Sequence, residues 1–420
     1  MRHAAIAAGL TVVALATTTA QAQPRATEIT MWSGQTDTAQ KTLKALAVEY
    51  GKLHPGVSVR VELGAPTDNM RTKLQAALSG DSYPDIAYVY GSELPDVAQA
   101  EQVADITNDI PSGFDWKGLY PAGRVVSTVK GRIVGFPAAI DALAVLYNRT
   151  LFAAKGVPTP TATWSWDDYR RIARRVSDGK AGIVGAAYPV SGTEDTTWRL
   201  WPMLWQQGGS ILDRSGRKAM FATPAAASSL KLLAEMAKDG SMVLDQSADS
   251  SKMYGLFKSK KLAMLTAGSW AVGDAREAKV DYGVQILPGY GGDHETVSGQ
   301  DVWTVFEHGD DARRKAATGF LAYITAPEQN LRYDLATGNL PLGAATTKLA
   351  GYRTFLKRYP GTGTFVRNLA NARRIRPATP KYASLSQAVA KTIQRVLQAG
   401  GDPQKELASA ARSVDKLLAG

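Results

Sequence analysis

Short apolar runs alternate with amphipathic stretches through the first part of the chain. The runs EITMWSG, VSVRVEL and DIAYVYG have strand length, and each ends at or beside a glycine. Two helical segments separate them, TAQKTLKALAVEYGKLHPG and residues 68–79. One face of the first predicted helix carries Leu43, Leu46, Ala47, Tyr50 and Leu53. Strands and helices that alternate at this spacing predict βαβ units and a mostly parallel sheet.

An apolar, extended region follows at residues 131–149, with Asp141 as a single carboxylate in its middle. The segments WSWDDYRRIARRVSD and TTWRLWPMLWQQGG then return to a helical pattern. Trp198, Trp201 and Trp205 of the second fall on one helical face, which is typical of a core, although one of them could instead reach a ligand. The next helix has explicit ends, because Thr223 can cap it, Pro224 suits its first turn and Gly240 closes it. Its apolar face is Leu230, Leu233 and Met236.

The strand-length run LAMLT ends at small residues, so Trp270 is predicted on the loop just beyond a strand and before a helix at DAREAK. In an open α/β sheet, that loop lies at the edge that binds ligands. DYGVQILPG and DVWTVFE are predicted strands on either side of a Gly-rich turn, and the last 40 residues are predicted to be helical. A chain of 420 residues with this pattern favours two lobes.

The first 22 residues have the layout of a secretory signal peptide. A basic start precedes the apolar run AAIAAGLTVVALA, and Ala20-Gln21-Ala22 forms an A-x-A cleavage site. We therefore expect a mature start near Gln23 and a soluble, exported, periplasmic protein. The chain contains no cysteine, so we expect core packing without disulfides and no lipid-bearing cysteine.

Charge and composition leave the predicted fold unchanged and argue against several classes of function. The formal net charge is +11, but no long basic tract lies next to interleaved aromatics, so nucleic acid is not an expected partner. Four His and no Cys make a transition-metal site improbable, and no Gly-x-x-x-x-Gly-Lys-Ser/Thr loop is present. We expect no cofactor and no catalytic role.

Eight segments in order resemble the extracellular solute-binding proteins of ATP-binding cassette sugar importers, the group with maltose- and trehalose-binding proteins. They are ITMWSG, AALSGDSYPDIAYVYGSELPDVAQAEQVADIT, VGFPAAIDALAVLYNRTLFAAKGVPTP with TWSWDDY, WQQGGSILDRSG, GLFKSKKLAMLTAGSWAVGD, ILPGYGG with VSGQDVW, ATGNLPLG and RPATPKYASLS. The resemblance covers nearly the whole mature chain.

The resemblance implies a two-lobed periplasmic binding protein fold of the α/β class with a ligand cleft between the lobes. The implied crossovers are residues 138–147, 283–303 and 339–345. The N-terminal lobe is then residues 23–140 with 300–340, and the C-terminal lobe is residues 141–299 with 341–420. It also implies hinge closure around the ligand, docking on a membrane permease, and a protein that we expect to be monomeric.

Sugars present C–H patches flanked by hydroxyls, so their sites combine flat aromatic faces with multivalent polar groups. The resemblance gives Trp270 the role of a stacking platform and places Gln35, Asp301 and Arg376 at the ligand. The sequence itself singles out Asp141, because a lone carboxylate in an apolar segment is costly to bury unless a partner satisfies it. The remaining candidates lie at the ends of predicted strands: Tyr90, Ser92 and Trp32, of which Trp32 could equally point into the core.

Two alternatives stay open. A binder of the same fold could take a glycerol phosphodiester or another anionic polyol, since Arg376 offers a cation, although no second cation is aimed at the predicted cleft. An exported glycosidase would need two opposed carboxylates. The acidic pairs Asp167-Asp168, Glu194-Asp195 and Asp310-Asp311 are adjacent in sequence, which is typical of solvated charges. The sequence does not identify the sugar.

Overall fold

The computed structural model describes Met1 and residues 27–35, 37–247 and 250–419, with Asp68 described by its backbone alone. The predicted signal peptide, apart from Met1, lies outside the described residues. No helix formed by the described part of the chain combines the length and apolarity that crossing a bilayer requires.

Strands and helices alternate along the chain as the sequence predicts. The strands are β1 (Thr27–Trp32), β2 (Val57–Glu62), β3 (Ile86–Tyr90), β4 (Thr128–Val129), β5 (Arg132–Ile133), β6 (Gly135–Ile140), β7 (Ala144–Asn148), β8 (Val184–Pro189), β9 (Met242–Asp245), β10 (Leu262–Ala267), β11 (Tyr282–Ile286) and β12 (Gln300–Val305).

The helices are α1 (Asp37–Leu53), α2 (Thr67–Ser79), α3 (Leu94–Val97), α4 (Pro121–Val126), α5 (Arg149–Ala154), α6 (Trp166–Val176), α7 (Glu194–Trp198), α8 (Leu200–Trp205), α9 (Pro224–Lys238), α10 (Ser251–Lys258), α11 (Ala271–Glu277), α12 (Asp311–Thr325), α13 (Pro327–Thr337), α14 (Ala344–Lys348), α15 (Ala350–Arg358), α16 (Thr362–Asn368), α17 (Tyr382–Ala399) and α18 (Pro403–Ala419). Helices α17 and α18 confirm the predicted helical C-terminal region.

The strands form two five-stranded sheets, in the orders β2-β1-β3-β12-β6 and β11-β7-β10-β8-β9. In the first sheet β2, β1 and β3 are parallel, whereas β12 runs antiparallel to β3 and β6. In the second sheet β9, β8 and β10 are parallel, whereas β7 runs antiparallel to β10 and β11. Each sheet is therefore a parallel unit extended by antiparallel strands.

The chain passes from the first sheet to the second between β6 and β7, and returns between β11 and β12. After β12, α12 packs on β1 and β6, and α13 packs on α1. Helix α16 then lies against β11 of the second sheet. This path supports the three predicted crossovers, and the predicted lobe boundaries remain a proposal.

Helix α1 covers the first sheet with four of the five residues predicted for its apolar face: Leu43, Leu46, Ala47 and Tyr50 are buried. Leu53 has the spacing of that face but is 64% exposed, so the buried part of the face ends at Tyr50. Leu53 is the last residue of the helix, and the chain turns away from the core at residues 54–56.

Helix ends follow local sequence. The Thr223 hydroxyl accepts a hydrogen bond from the Ala226 amide, with Pro224 as the first helical residue, as predicted for α9. Ser165 and Asp168 form a reciprocal capping box at the start of α6.

The predicted helix through the Trp-rich segment is broken at Arg199 into α7 and α8. Pro202 has no N–H to donate to the carbonyl of Trp198, which is four residues earlier, so the helix cannot continue regularly there. All three Trp side chains are buried in the same core cluster, and Trp198 also lines a cavity. The predicted core placement of the Trp residues therefore holds, and one of them reaches the cavity.

Candidate functional site

A cleft of about 490 Å³ lies where loops from both sheets meet. The first sheet contributes loops after β1 and β6 and the start of β12, and the second contributes loops after β8 and β10. Such edges are where open α/β sheets place ligands. The polar and aromatic residues that line the cleft are Gln35, Thr67, Tyr88, Tyr90, Asp141, Thr193, Glu194, Asp195, Trp198, Ser250, Tyr254, Ser269, Trp270, Asp301, Tyr333, Asn339 and Arg376.

Two indole rings form one wall of the cleft. Trp270 follows β10 and precedes α11, as predicted, and it is 37% exposed. Its ring centroid lies 5.7 Å from that of Trp198, with 31° between the planes. The Trp270 Nε1–H donates to the Tyr254 hydroxyl at 2.9 Å, which fixes the ring orientation. The cleft thus contains an aromatic platform held by a hydrogen bond outside the ring face.

Arg376 enters the cleft against Glu194. Its side chain is 8% exposed, and its Nη1 lies 2.8 Å from Glu194 Oε1. Glu194 also accepts hydrogen bonds from the hydroxyls of Tyr382, at 2.9 Å, and Ser386. Because Tyr382 and Ser386 belong to α17, this network ties the C-terminal helix to the start of α7.

The neighbouring carboxylate of Asp195 has a cation of its own. It forms an ion pair with the Arg199 guanidinium, which is buried, and it accepts from the Ser250 hydroxyl at 2.6 Å. Arg199 also donates through Nε to the Thr266 carbonyl, and it lies 5.9 Å from the Trp198 ring centroid. The Arg199 guanidinium therefore positions both the Asp195 carboxylate and the Trp198 ring.

Asp141 lies at the junction of β6 and β7 and is buried, as its sequence context suggested. Its Oδ1 accepts the Gly299 amide N–H at 2.9 Å, and the Ser298 hydroxyl donates to its backbone carbonyl. Burial, together with the nearby Asp301 carboxylate, raises the pKa of Asp141 to about 8, although the Gly299 hydrogen bond and the Arg376 charge oppose that rise. At neutral pH this carboxyl group is mostly protonated, so it can donate as well as accept a hydrogen bond.

Asp301 occupies the start of β12, opposite Tyr90 of β3. The Tyr88 hydroxyl donates to Asp301 Oδ2 at 2.6 Å. Burial raises the pKa of Asp301 to about 6, although the Tyr88 hydrogen bond and the Arg376 charge oppose that rise. This group is mostly ionised at neutral pH.

A side chamber of about 270 Å³ opens from the cleft and shares Tyr90, Thr193, Glu194 and Asp195 with it. Ser92 lines this chamber and not the main cleft. Glu93 lies beside it in an ion pair with Arg71 at 3.6 Å. Burial raises the pKa of Glu93 to about 7, and Arg71 opposes the shift.

The structure thus brings Gln35, Tyr90, Asp141, Trp270, Asp301 and Arg376 together in one cleft. It does not bring Trp32 there. Successive residues of a strand face opposite sides of the sheet, and Trp32 packs on the side of α2, beside Met70 and Leu74. Lys73 lies 4.4 Å above its ring centroid. Of the two positions that its sequence context allows, Trp32 therefore occupies the core and not the cleft.

Several cleft residues were not predicted, among them Glu194, Asp195, Tyr254, Tyr333 and Asn339. The interpretation of Glu194-Asp195 as a solvated pair was wrong, since both carboxylates face the cleft and have buried cations as partners. Their position shortly after β8 was the available signal, because the carboxyl ends of parallel strands converge at the ligand edge.

Among residues 27–35, 37–247 and 250–419, no group of three or more His, Asp or Glu side chains is arranged to hold a metal ion. Within the lining of the main cleft, Arg376 is the cationic side chain, and Asp141, Glu194, Asp195 and Asp301 are acidic. Hydrogen-bonding groups and aromatic faces therefore dominate the site.

A family model described as bacterial extracellular solute-binding protein matches residues 45–350. The sn-glycerol-3-phosphate-binding periplasmic protein UgpB of Rhizobium meliloti is 24% identical over 359 residues, which cover 81% of this chain and 80% of the relative. The Streptomyces antibioticus lipoprotein encoded 5' of oleD is 25% identical over 346 residues, with coverages of 80% and 73%.

The crystal structure of the cyclic alpha-maltosyl-1,6-maltose binding protein from Arthrobacter globiformis is similar across almost the whole chain. The TM-score is 0.79 at 26% identity, covering 94% of this chain and 99% of that one. The likeness confirms the predicted two-lobed α/β fold, with the cleft described above between the lobes.

Proposed function

The chain belongs to the bacterial extracellular solute-binding protein family, and on that premise we propose that it binds a carbohydrate in the cleft and delivers it to a membrane permease of an ATP-binding cassette importer. The observation that carries the proposal is the pairing of the Trp198 and Trp270 rings with the acidic and guanidinium groups opposite them. An aromatic face takes the C–H patch of a sugar ring, and the polar groups take its hydroxyls.

In this proposal Trp270 is the stacking platform, and Trp198 extends the apolar wall. Asp301, Glu194 and Asp195 accept hydrogen bonds from sugar hydroxyls, while Arg376 donates to hydroxyl oxygens through the guanidinium atoms that Glu194 does not occupy. Asp141, mostly neutral at pH 7, can donate or accept. Gln35 and Tyr90 reach the ligand from the first sheet, and Ser92 reaches only a ligand that extends into the side chamber.

Closure follows from the placement of these groups on both sheets. A ligand that contacts Trp270 on one side and Asp301 on the other makes more contacts when the lobes approach, so it favours the closed state. We propose that the closed form is the one that docks on the permease. We also propose that the protein is exported to the periplasm without a lipid anchor, is monomeric and has no catalytic activity.

An anionic polyol is the second candidate, because a relative is named for sn-glycerol-3-phosphate binding. The cleft charges argue against it. Phosphate recruits several cations or helix N-termini, whereas Arg376 is already paired with Glu194 and four carboxyl groups line the same cleft. A phosphodiester would have to displace Glu194 from Arg376 or lie beside Asp301.

The exported glycosidase is not supported by the family match, which describes a binding protein. The cleft does contain several carboxyl groups, and an assay of aryl glycoside hydrolysis tests whether they act as catalysts. Hydrolysis of aryl glycosides that a single change at Asp141, Glu194, Asp195 or Asp301 abolishes would overturn the binding-only proposal.

Thermal denaturation of residues 23–420 against mono-, di- and trisaccharides, sugar alcohols and glycerol phosphodiesters tests the proposal. A ligand at about a hundred times its dissociation constant stabilises the folded state by about 2.7 kcal/mol and raises the midpoint by a few degrees. We expect a shift with a neutral saccharide and a smaller one with Trp270→Ala. A shift with phosphodiesters alone, weakened by salt, would favour the second candidate. Mass spectrometry of the denatured protein tests for a co-purified ligand.

A further inference from the structure

The net positive charge of this chain comes from one segment. Residues 335–401 contain no Asp or Glu, and they contain 11 of the 49 Lys and Arg residues. The rest of the chain therefore carries 38 cationic residues against the 38 Asp and Glu of the whole protein, so the segment accounts for the entire formal charge of +11. Such a concentration is a feature of this region and not of the surface in general.

Part of this charge is neutralised by carboxylates from elsewhere in the chain. Arg373 pairs with Asp293 and Glu295, and Arg374 also lies near Glu295. Arg376 pairs with Glu194, and Arg395 pairs with Glu406. These four cations hold the C-terminal region to the rest of the fold.

Five other cations of the segment lie on the surface formed by α14, α15 and α16. They are Lys348, Arg353, Lys357, Arg358 and Arg367, and all five are exposed. Among the described residues, none of the five forms an ion pair with a carboxylate. We call this surface the α14–α16 basic face.

Helix α14 packs on α15, and the basic face lies over buried aromatic residues. Phe355 and Tyr359 are buried beneath α15, and Leu356 of α15 approaches Gly363 of α16. The guanidinium groups of Arg358 and Arg276 lie 5.7 Å and 5.8 Å from the Tyr359 ring centroid, so a sixth cation from α11 adjoins the face. Its cations therefore present their charges from a rigid scaffold.

The distribution of charges along α15 does not favour the stability of this helix. Arg353 and Lys357 are four residues apart on the exposed side of α15, and like charges at that spacing destabilise a helix by a few tenths of a kcal/mol. The helix has no acidic residue that would offset the repulsion. A partner that supplies negative charge would offset it.

We propose that the α14–α16 basic face associates with the anionic phospholipid headgroups of a membrane surface. Clusters of Lys and Arg near an anionic bilayer are attracted without any requirement for shape complementarity. A specific protein interface, in contrast, needs a buried apolar or aromatic anchor, and no large hydrophobic side chain between residues 344 and 368 is exposed. Association would hold the protein near its permease and would not involve the sugar cleft.

Vesicle co-sedimentation of residues 23–420 tests the proposal. We expect binding to phosphatidylcholine vesicles that contain phosphatidylglycerol, weak binding to phosphatidylcholine alone, and release by salt. Each cation near an anionic surface strengthens association about fivefold. The triple variant Lys348→Gln/Arg353→Gln/Lys357→Gln should therefore bind roughly a hundredfold more weakly.

A matched control removes the same charges from another surface. Lys405, Arg412 and Lys416 are exposed on α18, which packs on α9 and α17, away from α15. Lys405→Gln/Arg412→Gln/Lys416→Gln should keep most of the vesicle binding. Equal losses in the two triple variants, or no binding of the unmodified protein to anionic vesicles at low salt, would overturn the proposal. So would loss of transport in cells without any vesicle binding, which would indicate an acidic protein partner instead.

Discussion

The Trp270 ring lies directly over Gly268. A Cβ built on Gly268 would lie 1.9 Å from Cζ3 of Trp270 and 2.4 Å from two further ring atoms. The absence of a side chain at residue 268 therefore lets the indole fold back against the end of β10, where Nε1 reaches Tyr254. The ring is positioned by a hydrogen bond at one edge and by a glycine beneath it.

Trp270→Ala should remove most of the carbohydrate affinity and leave the protein folded. One face of an indole offers about 100 Å² of stacking area, which at about 25 cal/mol per Å² corresponds to about 2.5 kcal/mol, or a loss of roughly 70-fold in affinity. Isothermal titration with the saccharide from the thermal panel measures the loss, and the melting midpoint without ligand monitors folding.

Met220→Ala is the matched control for this variant, since Met220 is 42% exposed and lies outside the cleft. It should leave affinity unchanged. An unaltered affinity of Trp270→Ala would remove the stacking role from this residue, and a variant that fails to fold would show that the ring stabilises the core.

Gly268→Ala should weaken binding through Trp270 alone. No left-handed backbone geometry is required at Gly268, so the new methyl group acts by displacing the indole. We expect roughly a tenfold loss of affinity in the unmodified background and no further loss in Trp270→Ala. The four dissociation constants of this double-mutant cycle decide the point, because additive losses would mean that Gly268 acts independently of the ring.

The sequence identified the cleft where strand ends carry distinctive side chains. Trp270 after LAMLT, Asp141 in an apolar segment and Asp301 at the start of β12 were all predicted from local context or the family resemblance, and they meet in the structure. The sequence could not decide between core and cleft for Trp32, because the face of a strand to which its last residue points depends on how the helices pack on the sheet.

Glu194 and Asp195 were missed for a related reason. Adjacent carboxylates are usually solvated, and only the tertiary structure brings Arg376 to Glu194 from 182 residues away. Arg199 follows Asp195 by four residues, but the burial of its guanidinium also depends on the tertiary structure. Leu53 shows a related limit, because the helical spacing does not tell that the last residue of α1 lies beyond the core.

Arg376→Met should destabilise the protein as well as the complex. It leaves Glu194 partly buried with only the Tyr382, Ser386 and Thr197 hydroxyls as partners, and breaking an ion pair of this kind costs about 3 kcal/mol. Adding Glu194→Gln should restore part of that stability, because the uncompensated charge is gone. Urea denaturation of the two variants measures both effects, and a double variant no more stable than Arg376→Met would contradict this account of the pair.

Asp141 should make the protein less stable as the pH rises above neutrality. Its pKa is about 8 in the folded protein, against an ordinary value near 3.8. Between those two values the folded state holds a proton that the unfolded state has released, so the free energy of unfolding falls with increasing pH, and the loss is complete above pH 8. Asp301 and Glu93 act with the same sign. The effect of Asp301 is nearly complete at pH 7, whereas Glu93 is half protonated there and still contributes about 0.4 kcal/mol between pH 7 and pH 9.

Asp141 should account for about 1.4 kcal/mol between pH 7 and pH 9, and comparison with a variant that lacks its carboxyl group separates this loss from that of Glu93. In Asp141→Asn the amide oxygen can still accept the Gly299 N–H, so the fold is retained while the titrating proton is removed. Urea denaturation at both pH values should show the unmodified protein losing about that much more stability than the variant, and equal losses would mean that Asp141 is already ionised at pH 7.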